Sequence, residues 1–588
     1  MNKESGMTRR KHGIAAIALG GVVALTAAAC GGASTSAAGG LAGAAATKGG
    51  TLYYLTKRAA EHLDPQRTYI GRDISDESRL VYRTLTTYPV AAGKAGTKIV
   101  ADLATNTGTA SNGGKTWKFT LKSGVKWQDG SVITCADVKY GVSRTFATSV
   151  ITGGPNYAIQ FLNIPSNPAG GSVYQGPYIK DPAGQALYNK AVTCSGSTIT
   201  FNLSKPVGDF NYTVTMPAFA PYKASMDKGD KSNFSVFSDG PYELQGTWTE
   251  GQGGTFVRNP NWSASTDSVR KARPDKIVFT EGLTDEVIAQ RLISDQGNDK
   301  FAVTDRTVPP AMSPTVKANP AMATRSESVL SPFVDYLLPN FKKMTNPLVR
   351  EALAVSTDKT GWVAANGGTD AGSPASSIIA PSVLGYKAYS AFNAPESGDP
   401  TRAKALLTQA GVKMPYPITL TYSGGTPTTE KSAAALKAGW DAAGFITSLN
   451  ELSATYYDVI QNPANASKYD VTWAGWGADW PSASTDIPPL FDSRVNLTSA
   501  SNGQDYGYYS NPAVNKAIDT AYSTTNLAKQ ATLWGNIDET IQKQGGYIPL
   551  RVQKFYLIWG SGVTGWIDNP AMDDYPDLGS VGVNPNAS

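Results

Sequence analysis

A run of β-type residues that stops at a carboxylate limits what the C-terminal third of this chain can build. Residues 469–481 are Tyr469-Asp470-Val471-Thr472-Trp473-Ala474-Gly475-Trp476-Gly477-Ala478-Asp479-Trp480-Pro481. Val471, Trp473 and Gly475 alternate with Thr472, Ala474 and Trp476, the two-residue period of a strand. Pro481 has no N–H and cannot extend a ladder, so the strand must end where Asp479 begins. A lone carboxylate among indoles is poorly hydrated and needs a cation, a set of N–H donors or a proton. Two readings follow: Asp479 takes a cationic group on a ligand, or it is a loop aspartate paired with a nearby Lys or Arg.

The 588 residues are too many for one core, so two or three domains are expected. The N-terminus is a secretory signal: Lys3, Arg9, Arg10 and Lys11, then an apolar run over 13–29, then small residues before Cys30. That run is shorter than the roughly 20 residues a membrane span requires. Its removal takes four cations and Glu4 away, lowering the formal charge from +5 to +2, which gives no nucleic-acid footprint. The ending Leu25-Thr26-Ala27-Ala28-Ala29-Cys30 resembles a bacterial lipobox, with Ala27 where Leu is usual, which implies a lipidated Cys30 at the mature terminus. A Gly/Ala/Ser/Thr stretch then reads as a flexible tether to about residue 50. Acyl chains on Cys30 would hold the body on the outer face of the cell membrane. Secretion makes a disulfide between Cys135 and Cys194 the natural pairing, with two buried thiols as the alternative.

Along the mature chain, Thr51 to Thr56 reads as a strand, and Thr116-Trp117-Lys118-Phe119-Thr120-Leu121-Lys122 as a strand with one buried face. Thr134 reads as a helix N-cap with Asp137 as its capping-box acid. In order, Asp102-Leu103-Ala104, Gly114-Lys115-Thr116-Trp117, Gly124-Val125-Lys126-Trp127, Asp129-Gly130, Ala136-Asp137-Val138 and Ser143-Arg144 resemble the hallmark region of the oligopeptide- and dipeptide-binding solute-binding proteins of ATP-binding-cassette importers, family 5. Thr198 to Pro206, Asp239-Gly240-Pro241-Tyr242, Arg258-Asn259-Pro260-Asn261-Trp262, Pro339-Asn340-Phe341, Arg402 to Gly411 and Tyr547-Ile548-Pro549-Leu550 continue the resemblance over essentially all of 51–588. Cys135 departs from it, consistent with a lineage-specific disulfide.

The resemblance implies an α/β, two-lobed periplasmic-binding-protein-like fold (type II, cluster C) with an extra domain in the first lobe. The expected parts are a signal peptide (1–29), lipidated Cys30 and tether (30–50), a first lobe core (51–88, 208–282 and 547–588), an extra domain (89–207) and a second lobe (283–546), with hinge crossings near 282 and 546. It also implies that Asp479 takes a peptide's α-amino group while backbone around Glu61 and Gly475 pairs with the peptide as an added strand. Trp473, Trp476 and Trp480 are candidates for the walls of side-chain pockets, with a core role expected for at least one of them. Where some oligopeptide binders carry an Arg that holds the peptide's carboxylate, this chain has Trp473, so either another cation such as Arg551 or Lys554 substitutes, or the ligand is longer, C-terminally uncharged or not a peptide; Asn340 and Tyr242 are further candidates. Expected partners are short peptides, a permease and an ATPase subunit, and the membrane through its anchor; the protein is expected to be a monomer with no cofactor.

Rival chemistries lack residues. His62 is the one histidine after processing, and no Gly-x-Ser-x-Gly accompanies it, so a His-dependent triad or a Cys/His zinc site is not expected. Gly114-Lys115-Thr116 mimics the tail of a phosphate loop but runs into a strand. A glycosidase would need two acids converging, which Asp470, Asp479 and Asp486 do not establish from spacing. An oligosaccharide or another solute remains the alternative ligand.

Overall fold

Leu52, Tyr54 and Ile277, fully buried, lie on the parallel strands Thr51–Leu55 and Lys276–Thr280. In the computed structural model, which describes residues 47–167, 171–452, 456–498 and 501–586, these strands sit inside a five-stranded sheet. Its order is Ala302–Thr304, Thr51–Leu55, Lys276–Thr280, Gly253–Arg258, Tyr242–Thr249. The expected signal peptide, Cys30 and most of the tether lie outside the described residues.

A second sheet runs Gly372–Pro374, Ile548–Ile558, Ser326–Pro339, Val471–Gly477, Tyr416–Ser423, Phe445–Leu452. Its last two strands are parallel, and the helix Pro427–Ala442 makes the crossover that a parallel pair requires. Two sheets with helices, each around its own core, give the α/β, two-lobed architecture.

The extra domain carries a four-stranded sheet, Thr109–Ser111, Thr116–Thr120, Thr198–Asn202, Val192–Ser195. Trp117 and Phe119 are buried while Lys118 between them is exposed, as the period of two demands. The helix Cys135–Arg144 opens at the expected cap, where the Asp137 carboxylate accepts the Thr134 N–H at 2.8 Å. Cys135, at that helix start, is bonded to Cys194 on the strand Val192–Ser195, with 5.9 Å between their Cα atoms.

The lobes exchange chain elsewhere than expected. Ser326–Pro339 and Ile548–Ile558 form one antiparallel ribbon whose register breaks between Leu330 and Val334, and again between Asp335 and Tyr336. At one end Tyr556 and Ile558 pack with Leu55, Ile288 and Ala302 of the first lobe. At the other, Leu337, Ile548 and Leu550 pack with Val349, Trp362 and Trp440 of the second. The crossings therefore fall near the first register break and not at 282 and 546. Residues from 283 to the ribbon stay with the first lobe, because Ala302–Thr304 pairs in parallel with Tyr53, Tyr54 and Leu55. The first half of Ile548–Ile558 belongs to the second lobe for the same kind of reason.

Candidate functional site

Val471–Gly477 pairs with Ser326–Pro339 along its length, from Pro339 opposite Val471 to Phe333 opposite Gly477. On its other edge Tyr416–Ser423 reaches only Val471 and Thr472. From Trp473 to Gly477 that edge has no strand partner among the described residues, and Gly475 is exposed there. The chain then turns at Ala478 and Asp479. The turn is fastened by fully buried Asp209, whose carboxylate accepts from Ser482 Oγ at 3.1 Å, Trp480 Nε1 at 3.3 Å and Ser484 Oγ.

Asp479 faces a cavity of about 730 Å³ whose walls come from both lobes and the extra domain. The first lobe supplies Tyr69, Gly71 and Ser75; the extra domain supplies Tyr157 and Lys205. Phe333 and Gln553 come from the ribbon at its register break, and Gly475, Trp476 and Asp479 from the second lobe. Tyr69 Oη donates to Asp479 Oδ2 at 2.8 Å, and Tyr157 Oη donates to the same oxygen. The Tyr157 ring packs 4.8 Å from that of Trp480.

Asp479 makes no ion pair among the described residues, so the reading in which a protein Lys or Arg neutralises it fails. Burial pushes its carboxyl up to about 6, against the pull of the two hydroxyl donors. Both tyrosines are themselves raised well above their ordinary value by burial and by the carboxylate beside them, so they remain neutral donors. A carboxylate held ready by two hydroxyls and facing open volume is a receptor for a cation.

Of the residues expected at the site, Asp479, Gly475, Trp476 and Trp480 share this cavity. Trp480 is nevertheless buried, with its N–H committed to Asp209 and Ser484, and the Trp476 N–H is spent on the Thr485 carbonyl at 2.8 Å. Trp473 is absent from the wall. It points the other way, into the second lobe's core, 5.2 Å from Trp362, because two-residue alternation sends Trp473 and Trp476 to opposite faces.

Asn340 is fully buried, and its amide holds the carbonyls of Ala466 and Tyr469. Tyr242 is a core residue bonded to the Pro274 carbonyl. Glu61 is exposed and pairs with Arg58; the first lobe's wall begins instead at Tyr69. Arg551 lies outside this cavity, its guanidinium held by Asp335 at 2.7 Å across the ribbon and by Asn366 at 2.6 Å. Lys554 lines an adjoining cavity of about 440 Å³ that shares Phe333 and Gln553 with the first, and its ammonium meets the Thr369 carbonyl at 3.1 Å.

Tyr69, Tyr157, Lys205 and Asp573 were not expected. Nothing local marks them: Tyr69 and Tyr157 reach Asp479 over 410 and 322 residues of chain.

Residues 98–497 match the bacterial extracellular solute-binding proteins, family 5 Middle. The probable D,D-dipeptide-binding periplasmic protein of Escherichia coli strain K12 is 24% identical over 510 residues, covering 85% of this chain and 88% of its own. A glutathione-binding protein of Salmonella typhi is 25% identical over 472 residues, covering 78% and 82%. Among solved structures, clavulanic acid biosynthesis oligopeptide binding protein 2 superimposes with a TM-score of 0.84 at 27% identity, over 92% of this chain and 98% of that one. A Helicobacter pylori periplasmic binding protein solved with the peptide STSA gives 0.68 at 18%, over 91% and 98%, and attests the fold. These relatives are substrate-binding proteins of transporters and not enzymes. The match over most of the chain, the two-lobed fold and the interlobe cavity together make this chain a member of family 5 of the bacterial extracellular solute-binding proteins.

Proposed function

We propose that this protein captures short peptides outside the cytoplasm and delivers them to the permease and ATPase of an ABC importer, with the peptide's α-amino group on Asp479. One observation carries the reading: a carboxylate with hydroxyl partners and, among the described residues, no paired cation faces a cavity of about 730 Å³. An α-amino group, charged at neutral pH, fits that demand. Beyond Thr472 the edge of Val471–Gly477 has no strand partner among the described residues, and although the Tyr456 hydroxyl holds the Trp473 carbonyl, the stretch next to Asp479 is where a peptide would run as an added strand. The names of the D,D-dipeptide- and glutathione-binding relatives support the same ligand class.

Both cations expected to hold the peptide's carboxylate line the adjoining cavity, but Arg551 is committed to Asp335 and Asn366, which makes Lys554 the better candidate. The oligosaccharide alternative is weakened because Trp473 points into the second lobe's core, and Trp480, though it borders the cavity, is almost wholly buried. Calorimetry with di- to hexapeptides against cello- and chito-oligosaccharides separates the two, and sugar binding without peptide binding refutes the proposal. Lipid anchoring through Cys30 belongs to it as well: Cys30→Ala should release the protein from membranes. Monomers on a sizing column complete the expected picture.

A further inference from the structure

The charges on the cavity wall do not balance. Among the described residues that line it, the charged ones are Asp479, Asp492, Asp573 and Lys205. Asp492 is taken by Arg494 at 2.8 Å. Lys205 stands 4.8 Å over the Tyr522 ring and 5.3 Å over Phe161, with Asp492, Asp519 and Arg494 as its charged neighbours. Asp479 and Asp573 are left facing the space with no cation against either.

Asp573 follows the turn Pro570–Met572 with φ at 54°, a conformation that non-glycine residues adopt sparingly. Its carboxylate accepts no hydrogen bond among the described residues. It lies against Gly71, where a Cβ would come within 2.3 Å of Oδ2, so a glycine there makes room for the acid. Tyr69 touches one carboxylate and Gly71 abuts the other, so both acids border the same stretch of first-lobe wall. Burial lifts the Asp573 carboxyl to about 7, and the Asp479 charge adds to the lift. One α-amino group neutralises one of these acids and leaves the other uncompensated.

We propose that Asp573 is a second cation subsite and that the preferred ligands are short peptides whose first residue is basic, its α-amino group on Asp479 and its side-chain cation on Asp573. The assignment rests on the peptide reading above and narrows it to a ligand class.

The test uses tri- and tetrapeptide mixtures with Arg, Lys, alanine or norleucine first and randomised positions after it. Peptides retained by the mature protein are counted by mass spectrometry, and calorimetry follows on the best of each set. The wild type should retain Arg- or Lys-first peptides over norleucine-first ones by about tenfold or more. Asp573→Asn should lose that preference and keep its norleucine-first binding, while Asp573→Glu should restore it. A wild type without the preference overturns the proposal even if the variants do not fold, and so does a preference that survives in Asp573→Asn. Peptides retained without regard to the first residue sink this assignment alone, whereas no retention of any peptide sinks the peptide reading with it.

Discussion

Replacing Asp479 with Asn should move affinity and stability in opposite directions. Its carboxyl titrates at about 6 in the folded protein, against an ordinary 3.8. The folded state therefore holds the proton more tightly than the unfolded chain, and stability falls as pH rises from about 4 to 6. Above pH 6 the whole cost is present, about 2 pKa units or ~3 kcal/mol. Asp479→Asn removes the charge, keeps the shape and leaves a carbonyl oxygen that can accept both tyrosine hydroxyls, so the ligand-free variant should melt a few degrees higher at pH 7.5. Peptide binding should weaken by about 3 kcal/mol, or more than 100-fold, because the bound ammonium is left buried without a counter-charge. Scanning calorimetry of ligand-free protein and titration calorimetry with a bound peptide measure the two effects. Affinity within threefold of wild type would refute the role of Asp479. A variant that loses binding and also melts lower would refute the account of its burial.

The pH dependence follows from the same group: the amine needs the ionised carboxylate, so Kd should rise about tenfold between pH 7 and 5, and a flat profile would contradict it. Trp473→Ala should cost about 3 kcal/mol of stability through the cavity left beside Trp362 and Tyr422, with affinity nearly unchanged; a large affinity loss without destabilisation would return Trp473 to the site. Opening the Cys135–Cys194 bond, whose ends lie 59 residues apart, should lower stability by about 4 kcal/mol in the chain-entropy model, and matching melting curves with and without reductant would argue against it.

What could be read in the sequence was whatever depends on period and termination. The strand that stops short of Pro481, the Thr134 cap and the one-sided pattern of Trp117 and Phe119 each follow from a few adjacent residues. Asp479 could be singled out for that reason. Its donors could not, since Tyr69 and Tyr157 meet it only through tertiary packing. Asn340 and Arg551 looked like site residues because buried polar side chains and binding side chains are the same chemical types; what separates them is a partner, a carbonyl in one case and Asp335 in the other, that no local pattern shows. The lobe boundary was misplaced because one continuous strand, Ser326–Pro339, serves both halves, and a three-residue strand, Ala302–Thr304, decides the membership of the segment before it.

Because the joint between the halves is itself a hydrogen-bonded ribbon, its freedom is narrow. A pair of laced strands resists shear along its length yet yields where the lacing is interrupted, here beside Phe333 and Gln553 on the floor of the chamber. Bending at such interruptions would change the jaw angle while leaving each half intact. A membrane complex that gauges this angle would learn whether the chamber is loaded without touching the cargo.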